Sequence, residues 1–267
     1  MSIFLVKQPL EMPCFVNDEC ELSYNQESGL INTKPHGNGD INMLLSQPSM
    51  VEKLKSKNCK WIYFMNDTNP LAITNLPSVM GYTVSQNLKV ALTGIPRQKG
   101  ETTGLILETK DSQCRLIDYH EWNLMIKRLR QSKPNDSSWK QKLESLEKES
   151  VASINNLLID FDVYLNQVAK CKNLEFVNVK RCPNTKNILS SFRLETWYLD
   201  VLKDLEESIG FPVFPREICF TTCKNKISTG AQKQENGLPS ETIISCENDL
   251  IFKNHLMIQK IQGNETS

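Results

Sequence analysis

The run Trp61-Ile62-Tyr63-Phe64-Met65, which stops abruptly at Asn66-Asp67-Thr68-Asn69-Pro70, constrains the chain more than any other feature. Aromatic and β-branched residues in a run of this length, closed by turn chemistry, predict a buried strand with a polar tip. Just upstream, Ile41 to Lys55 is apolar at Ile41, Leu44, Leu45, Met50, Val51 and Leu54, a near-helical spacing that Pro48 divides into two pieces. Before it lies the turn-forming stretch Lys34-Pro35-His36-Gly37-Asn38-Gly39-Asp40. Loop, helix, strand, loop is half of a βαβ pattern.

The rest of the chain repeats this alternation. Leu88 to Ile95, Leu105 to Leu107 and Arg115 to Asp118 read as strands in sequence, with a hairpin among them. Glu121 to Arg130, Trp139 to Glu149, Phe161 to Ala169 and Leu194 to Leu205 read as helices, and Phe176 to Val179 and Ile218 to Thr221 as short strands. Ser132 to Ser138 is the most linker-like stretch, and Gly230 to Ser240 is polar and flexible in composition. The expectation is an α/β layer fold with a mixed, mostly parallel sheet.

Composition narrows the function classes. With 31 basic and 31 acidic residues the formal charge is zero, so neither a nucleic-acid backbone nor an anionic surface is an expected partner. Hydrophobic residues make up 39% of the 267 positions, enough for a core. No apolar stretch approaches the roughly 18 to 20 residues that span a bilayer. The nine cysteines are odd in number and include no Cys-x-x-Cys pair, which fits reduced thiols in a cytoplasmic protein. Cys219 and Cys223 with His255 match no common zinc spacing.

In an open α/β sheet, ligands sit beyond the carboxyl ends of the strands, so polar loops after apolar strands are the first candidates. His36-Gly37-Asn38-Gly39-Asp40 sets two glycines around an amide, which lets backbone approach a ligand while Asn38 offers a donor and an acceptor. Asp67, ending the strongest strand, offers a carboxylate for a divalent cation. Lys224, after a short strand, could meet phosphates. Taken singly, each loop is explained first by ordinary turn and helix-cap chemistry, and a lysine after a strand by solvation.

Several segments taken in order resemble the UDP-sugar pyrophosphorylases, the UTP-monosaccharide-1-phosphate uridylyltransferases. Thr33 to Asp40 is similar to that family's Thr-Lys-Pro-His-Gly-His-Gly-Asp signature, and Asp67-Thr68-Asn69 to its Gln-Asp-Thr-Asn strand end. Lys7-Gln8, Pro13-Cys14 and Asp18 match upstream. Pro96-Arg97, Gly104, Asp118-Tyr119, Glu175 to Asn178, Arg193-Leu194-Glu195 and Lys224-Asn225 match downstream in the same order. The resemblance implies a partial GT-A-like (Rossmann-like) nucleotidyltransferase domain over residues 1–229, followed by a flexible segment and the start of a further region over 230–267. It implies the reversible reaction of UTP with a sugar 1-phosphate to give UDP-sugar and pyrophosphate, with Mg2+ as cofactor.

The roles it carries over are specific. Gln8 and Gly37 would contact uracil, Asn38 the sugar, Asp118 and Tyr119 the sugar hydroxyls, and Asn69 and Gly104 further parts of the substrate. Asp67 would hold magnesium near the α-phosphate and Lys224 would bind phosphates. That reading requires the turn carrying Asn38 and the tip carrying Asp67 to line one cleft. Asn38 stands where the family has its second histidine, a choice similar to the UDP-N-acetylglucosamine pyrophosphorylases. Asp118 stands where the family has glutamate, Ser153 where asparagine is usual, and Leu189 where a lysine precedes Arg-Leu-Glu. The family's glycine-rich UTP loop would precede Met1, and the chain without it is expected to be inactive or slow, or to serve as a nucleotide-sugar-binding remnant.

Overall fold

The computed structural model describes residues 3–8, 11–17, 19–98, 101, 103–108, 114–132, 138–139, 141, 150–171, 178–182, 191–202 and 205–264. The chain divides into two compact units, Met1–Trp61 with Asp160–Glu206, and Ile62–Ile159 with Glu207–Ser267. Asp18, the linker at residues 133–137, most of the helix expected over Trp139–Glu149, the segment Glu175-Phe176-Val177 and Leu189 lie outside the described residues.

The first unit is built on a four-stranded antiparallel sheet of β1 (Glu11–Phe15), β2 (Thr33–Pro35), β8 (Asn178–Cys182) and β9 (Ser191–Glu195), in the order β2-β1-β9-β8. Cys14 and Phe15 of β1 are buried, and they face Arg193 and Phe192 of β9 across the ladder. The helical stretch expected over Ile41–Lys55 is present as two pieces, α1 (Asp40–Leu45) and α2 (Pro48–Ser56). Pro48 opens the second, where its fixed φ suits a first helical position and its missing N–H costs nothing. Further along, α5 (Phe161–Cys171) starts on Asp160, whose Oδ1 accepts the N–H groups of Asp162 and Val163.

One helix expected in this unit is absent. Leu194 and Glu195 complete β9, paired with Val179 and Asn178, and only Tyr198–Leu202 coils, as a 3-10 turn. The apolar spacing from Leu194 suits a helix, but two neighbouring strands already take the backbone groups of residues 191–195, and sheet pairing overrides propensity. The 3-10 turn packs on α1 and α5 and buries Tyr198, Leu199 and Val201.

The second unit holds a six-stranded sheet in the order β10-β4-β7-β5-β6, with β3 also paired to β7. Its strands are β3 (Trp61–Phe64), β4 (Val90–Pro96), β5 (Gly104–Glu108), β6 (Cys114–Ile117), β7 (Val151–Asp160) and β10 (Ile209–Gly210). The sheet is mixed, as expected, but of the pairings whose register is described only β4 with β10 is parallel. A mostly parallel sheet is therefore corrected to one rich in antiparallel pairs. The cause is local: β5 and β6 form the expected hairpin, and β7 lies antiparallel to both β4 and β5.

Two smaller expectations also change. Arg216–Cys219 forms a single helical turn, α6, after Pro215, where a strand over Ile218–Thr221 was expected. The polar stretch from Gly230 lies largely in α7 (Ile227–Glu235), whose Gly230 packs so closely on Thr242 and Ser240 that a Cβ there would collide with them. Helices α3 (Leu76–Ser85), α4 (Tyr119–Ser132) and α8 (Ile243–Asn264) also belong to the unit. Among the described residues, two clusters of its core stand out. Ile95, Ala152, Ile154 and Cys219 pack with Phe214, Ile218 and Phe220, while Leu105, Trp122 and Ile126 pack with Leu107, Ile117 and Trp139.

Candidate functional site

In the first unit the candidate residues gather on the turn between β2 and α1. Gly37 has φ +114, open to glycine and hostile to other residues, and a Cβ there would run into the Thr196 carbonyl and lie 2.8 Å from Glu195 Cγ. The turn is pinned on both sides to one residue after β9. Thr196 N–H donates to the His36 carbonyl at 2.8 Å, and Gly39 N–H donates to the Thr196 carbonyl at 3.1 Å.

Side chains then lock the turn from within. Gln8 Nε2 donates to the Gly37 carbonyl at 2.9 Å and to Asp40 Oδ2 at 2.7 Å. The other carboxylate oxygen of Asp40, a residue only 6% exposed, lies 2.9 Å from His36 Nδ1. A carboxylate only accepts, so the imidazole carries a proton on Nδ1, and His36 Nε2 is buried without a partner among the described residues. Asn38 Oδ1 accepts the Tyr198 N–H at 3.0 Å. Of the donor and acceptor expected from Asn38, the acceptor is thus committed to the fold and the Nδ2 donor remains.

In the second unit the strand-end loop and the lysine loop lie side by side. Cys223 N–H donates to the Thr68 carbonyl at 2.9 Å, so Asp67 and Lys224 each flank one end of the same backbone hydrogen bond. Both side chains are exposed, and neither has a hydrogen bond or ion pair among the described residues. Asn69 is different: 3% exposed, it donates from Nδ2 to the Cys219 carbonyl at 3.1 Å and accepts from Leu71 N–H and Thr221 N–H, both at 3.2 Å. It fastens the Asp67 loop to residues 219–221.

The lysine loop is held in turn by Glu241. Its carbonyl accepts the N–H groups of Lys224 and Asn225, both at 2.9 Å, and its carboxylate meets Lys233 and Asn225. Glu241 has φ +51, a conformation rare for a residue with a side chain, which these bonds hold in place. Neither Glu241 nor Asp40 was singled out as a clamp from the sequence, because an acidic residue in a polar stretch carries no local sign of what it grips.

Three other predicted residues lie in the second unit, one of them on its sheet. Gly104 opens β5 opposite Ser153 of β7. Asp118 precedes α4 and its carbonyl accepts the Trp122 N–H at 2.9 Å, while Tyr119 is the first residue of that helix. Among the described residues no three His, Cys, Asp or Glu side chains converge as a metal cage. One exposed carboxylate, Asp67, fits a magnesium ion that keeps water and phosphate oxygens as its other ligands, which is that ion's usual habit.

No family model matches the sequence. The chain is 29% identical to UDP-sugar pyrophosphorylase from Oryza sativa subsp. indica over 97% of its own length and 42% of that protein. The figures for the enzyme of the same name from Arabidopsis thaliana are 29%, 97% and 43%. The chain therefore spans less than half the length of these curated relatives. Among solved structures, UDP-N-acetylglucosamine pyrophosphorylase from Trypanosoma brucei superposes with a TM-score of 0.62 at 17% identity, covering 90% of this chain and 46% of that one. A UDP-glucose pyrophosphorylase mutant from Leishmania major, in complex with UDP-glucose, gives 0.56 at 18%, covering 80% and 45%. The chain is thus similar in sequence to the UDP-sugar pyrophosphorylases along nearly its whole length, and it shares its fold with these solved pyrophosphorylases.

Proposed function

We propose that the chain binds a uridine nucleotide and belongs to a uridylyltransferase that interconverts UTP plus a monosaccharide 1-phosphate with UDP-sugar plus pyrophosphate. The observation that supports it most is the Cys223 to Thr68 hydrogen bond, which sets an exposed carboxylate and an exposed ammonium on adjoining loops of one unit. In this reaction a sugar phosphate oxygen attacks the α-phosphorus, and its bond forms as the bond to the pyrophosphate oxygen breaks. The attacking phosphate is already an anion near neutral pH, so the protein supplies alignment and charge neutralisation more than a base.

In the second unit Lys224 neutralises phosphate oxygens, Asp67 is the magnesium ligand, and Asp118 and Tyr119 meet sugar hydroxyls. Magnesium, when bound, adds positive charge against the phosphates. In the first unit Gln8 and Gly37 take the uracil and the free Nδ2 of Asn38 donates to a sugar oxygen. The likeness to UDP-sugar pyrophosphorylases along 97% of the chain supports this assignment of roles.

Calorimetric titration of the full chain with UTP and with UDP-glucose, with and without magnesium, tests the reading, alongside a pyrophosphate-release assay. Binding of either nucleotide is expected, weakened about tenfold or more in Lys224→Ala, the loss of one charge-assisted phosphate contact. Asp67→Ala is expected to abolish the magnesium dependence. A folded chain that binds neither nucleotide would overturn the proposal, and binding with no turnover would favour a nucleotide-sugar-binding role.

A further inference from the structure

The turn of the first unit carries more information than a list of contacts, because its hydrogen bonds have a direction. Gln8 Nε2 faces two partners, the Gly37 carbonyl at 2.9 Å and Asp40 Oδ2 at 2.7 Å. Neither partner has a proton to give. Rotating the amide by half a turn would set its carbonyl against two oxygens, so both Nε2 protons stay inward and Oε1 points the other way. Oε1 takes part in no hydrogen bond among the described residues. Asp40 itself cannot turn away, since its second oxygen is held by His36 Nδ1 at 2.9 Å and its side chain is buried.

We infer that Asp40 is a positioning residue that fixes the Gln8 amide with its carbonyl toward the ligand, and so selects a base bearing an imide N–H over one bearing a bare ring nitrogen. Uracil has a proton on N3 and donates it to Oε1. Cytosine has a lone pair on N3, which would face the carbonyl oxygen. The inference rests on the reading that this turn takes a uridine nucleotide, and it adds the source of the base preference. The Gly37 carbonyl alone would hold one Nε2 proton and leave the amide free to swing; the carboxylate, with its charge, makes the orientation one-sided.

The test is titration of the full chain with UDP and with CDP at equal magnesium. The unsubstituted protein is expected to prefer UDP by about 10- to 100-fold, the effect of leaving a desolvated acceptor opposite a lone pair. Asp40→Leu, close in volume and unable to accept, should reduce that ratio to about threefold or less, and Gln8→Met should do the same. The double variant should match either single one, because Asp40 acts through Gln8. Asp40→Asn should keep most of the ratio, since His36 can change tautomer and leave the asparagine carbonyl facing Gln8.

Retention of the UDP preference in folded Asp40→Leu, or additive losses in the double variant, would overturn the role of Asp40 while leaving uridine binding intact. A folded chain that binds UDP and CDP equally overturns it as well. If neither nucleotide binds, the reading of the turn falls and the inference with it. Should Asp40→Leu fail to fold, nuclear Overhauser contacts of the Gln8 side-chain amide protons in the unsubstituted protein decide the matter. Contacts to Gly37 and Asp40 that persist when UDP binds support the inference, and an amide that turns over on binding refutes it.

Discussion

At the scale of single residues, Gly37 shows why the loop that mattered looked like an ordinary turn. Gly-Asn-Gly signals a bend, and nothing in those letters tells that Thr196, nearly 160 positions away, closes on both glycines. The consequence can be measured against a second glycine. Gly29 has φ +69 with open space around it, so Gly29→Ala should lower stability by about 1 kcal/mol, the dihedral cost alone. Gly37→Ala adds a collision with backbone and should cost about 2 to 4 kcal/mol in urea unfolding. Equal losses at the two sites would mean that Thr196 does not press on the turn. Cys219 offers a pH-dependent check. Burial pushes its thiol from 9.0 up to about 12, because a thiolate there would lack water. The folded state therefore holds the proton more tightly than the unfolded one, and its contribution to stability is complete below pH 9.0 and lost as pH climbs toward 12. Iodoacetamide at pH 8.5 should alkylate exposed Cys20 in the native protein and leave Cys219 unmodified until urea is added.

Among the elements, those that announce themselves in the sequence are the ones whose apolar spacing runs without a break. β3, β4, the β5–β6 hairpin, the α1–α2 break at Pro48, α4 and α5 all fall where apolar spacing places them. β7, the strand that joins β3, β4 and β5, was not legible, because Ser153-Ile154-Asn155-Asn156 interrupts its apolar run. The structure accounts for the interruption. Leu92 pairs with Leu157 but Gly94 with Ser153, so β7 carries extra residues at this point, and Asn155 absorbs them at φ +59. A bulge needs a residue that tolerates positive φ, and the asparagine that supplies it reads in one dimension as a loop. Gly94 shows how closely the two strands fit there: a Cβ would run into Val151 Cγ1. Gly94→Ala should cost about 1 to 3 kcal/mol, and Val151→Ala in that background should return part of the loss although Val151→Ala alone destabilises. Strict additivity in the double variant would show that the two side chains do not compete for one volume.

For the molecule as a whole, the chain order hides the organisation that the fold imposes. Each unit is assembled from two separated segments, and the polypeptide passes between them at residues 61–62, 159–160 and 206–207. Composition changes at none of these points, which is why a sequence reading places its boundary elsewhere, at the polar stretch after residue 229. The arrangement makes the last 61 residues, Glu207–Ser267, part of the second unit and not an appendage to it. Cys219 is fully buried with Ile95, Ala152 and Ile154, and Phe214, Ile218 and Phe220 pack against the same cluster. Losing one buried and three half-buried side chains from one core removes on the order of 3 to 7 kcal/mol of burial, a large share of the whole stability of a domain. A chain ending at Glu206 should therefore fail to fold its second unit, and β4 and β7 should lose their slow amide hydrogen exchange. A chain ending at Gln259 keeps that cluster, along with Lys224 and Glu241, and should retain protection in β4. If the 206-residue chain protected β4 and β7 as well as the full one, the C-terminal segment would be dispensable to the core, and the placement of Lys224 beside Asp67 would lose the framework that holds it.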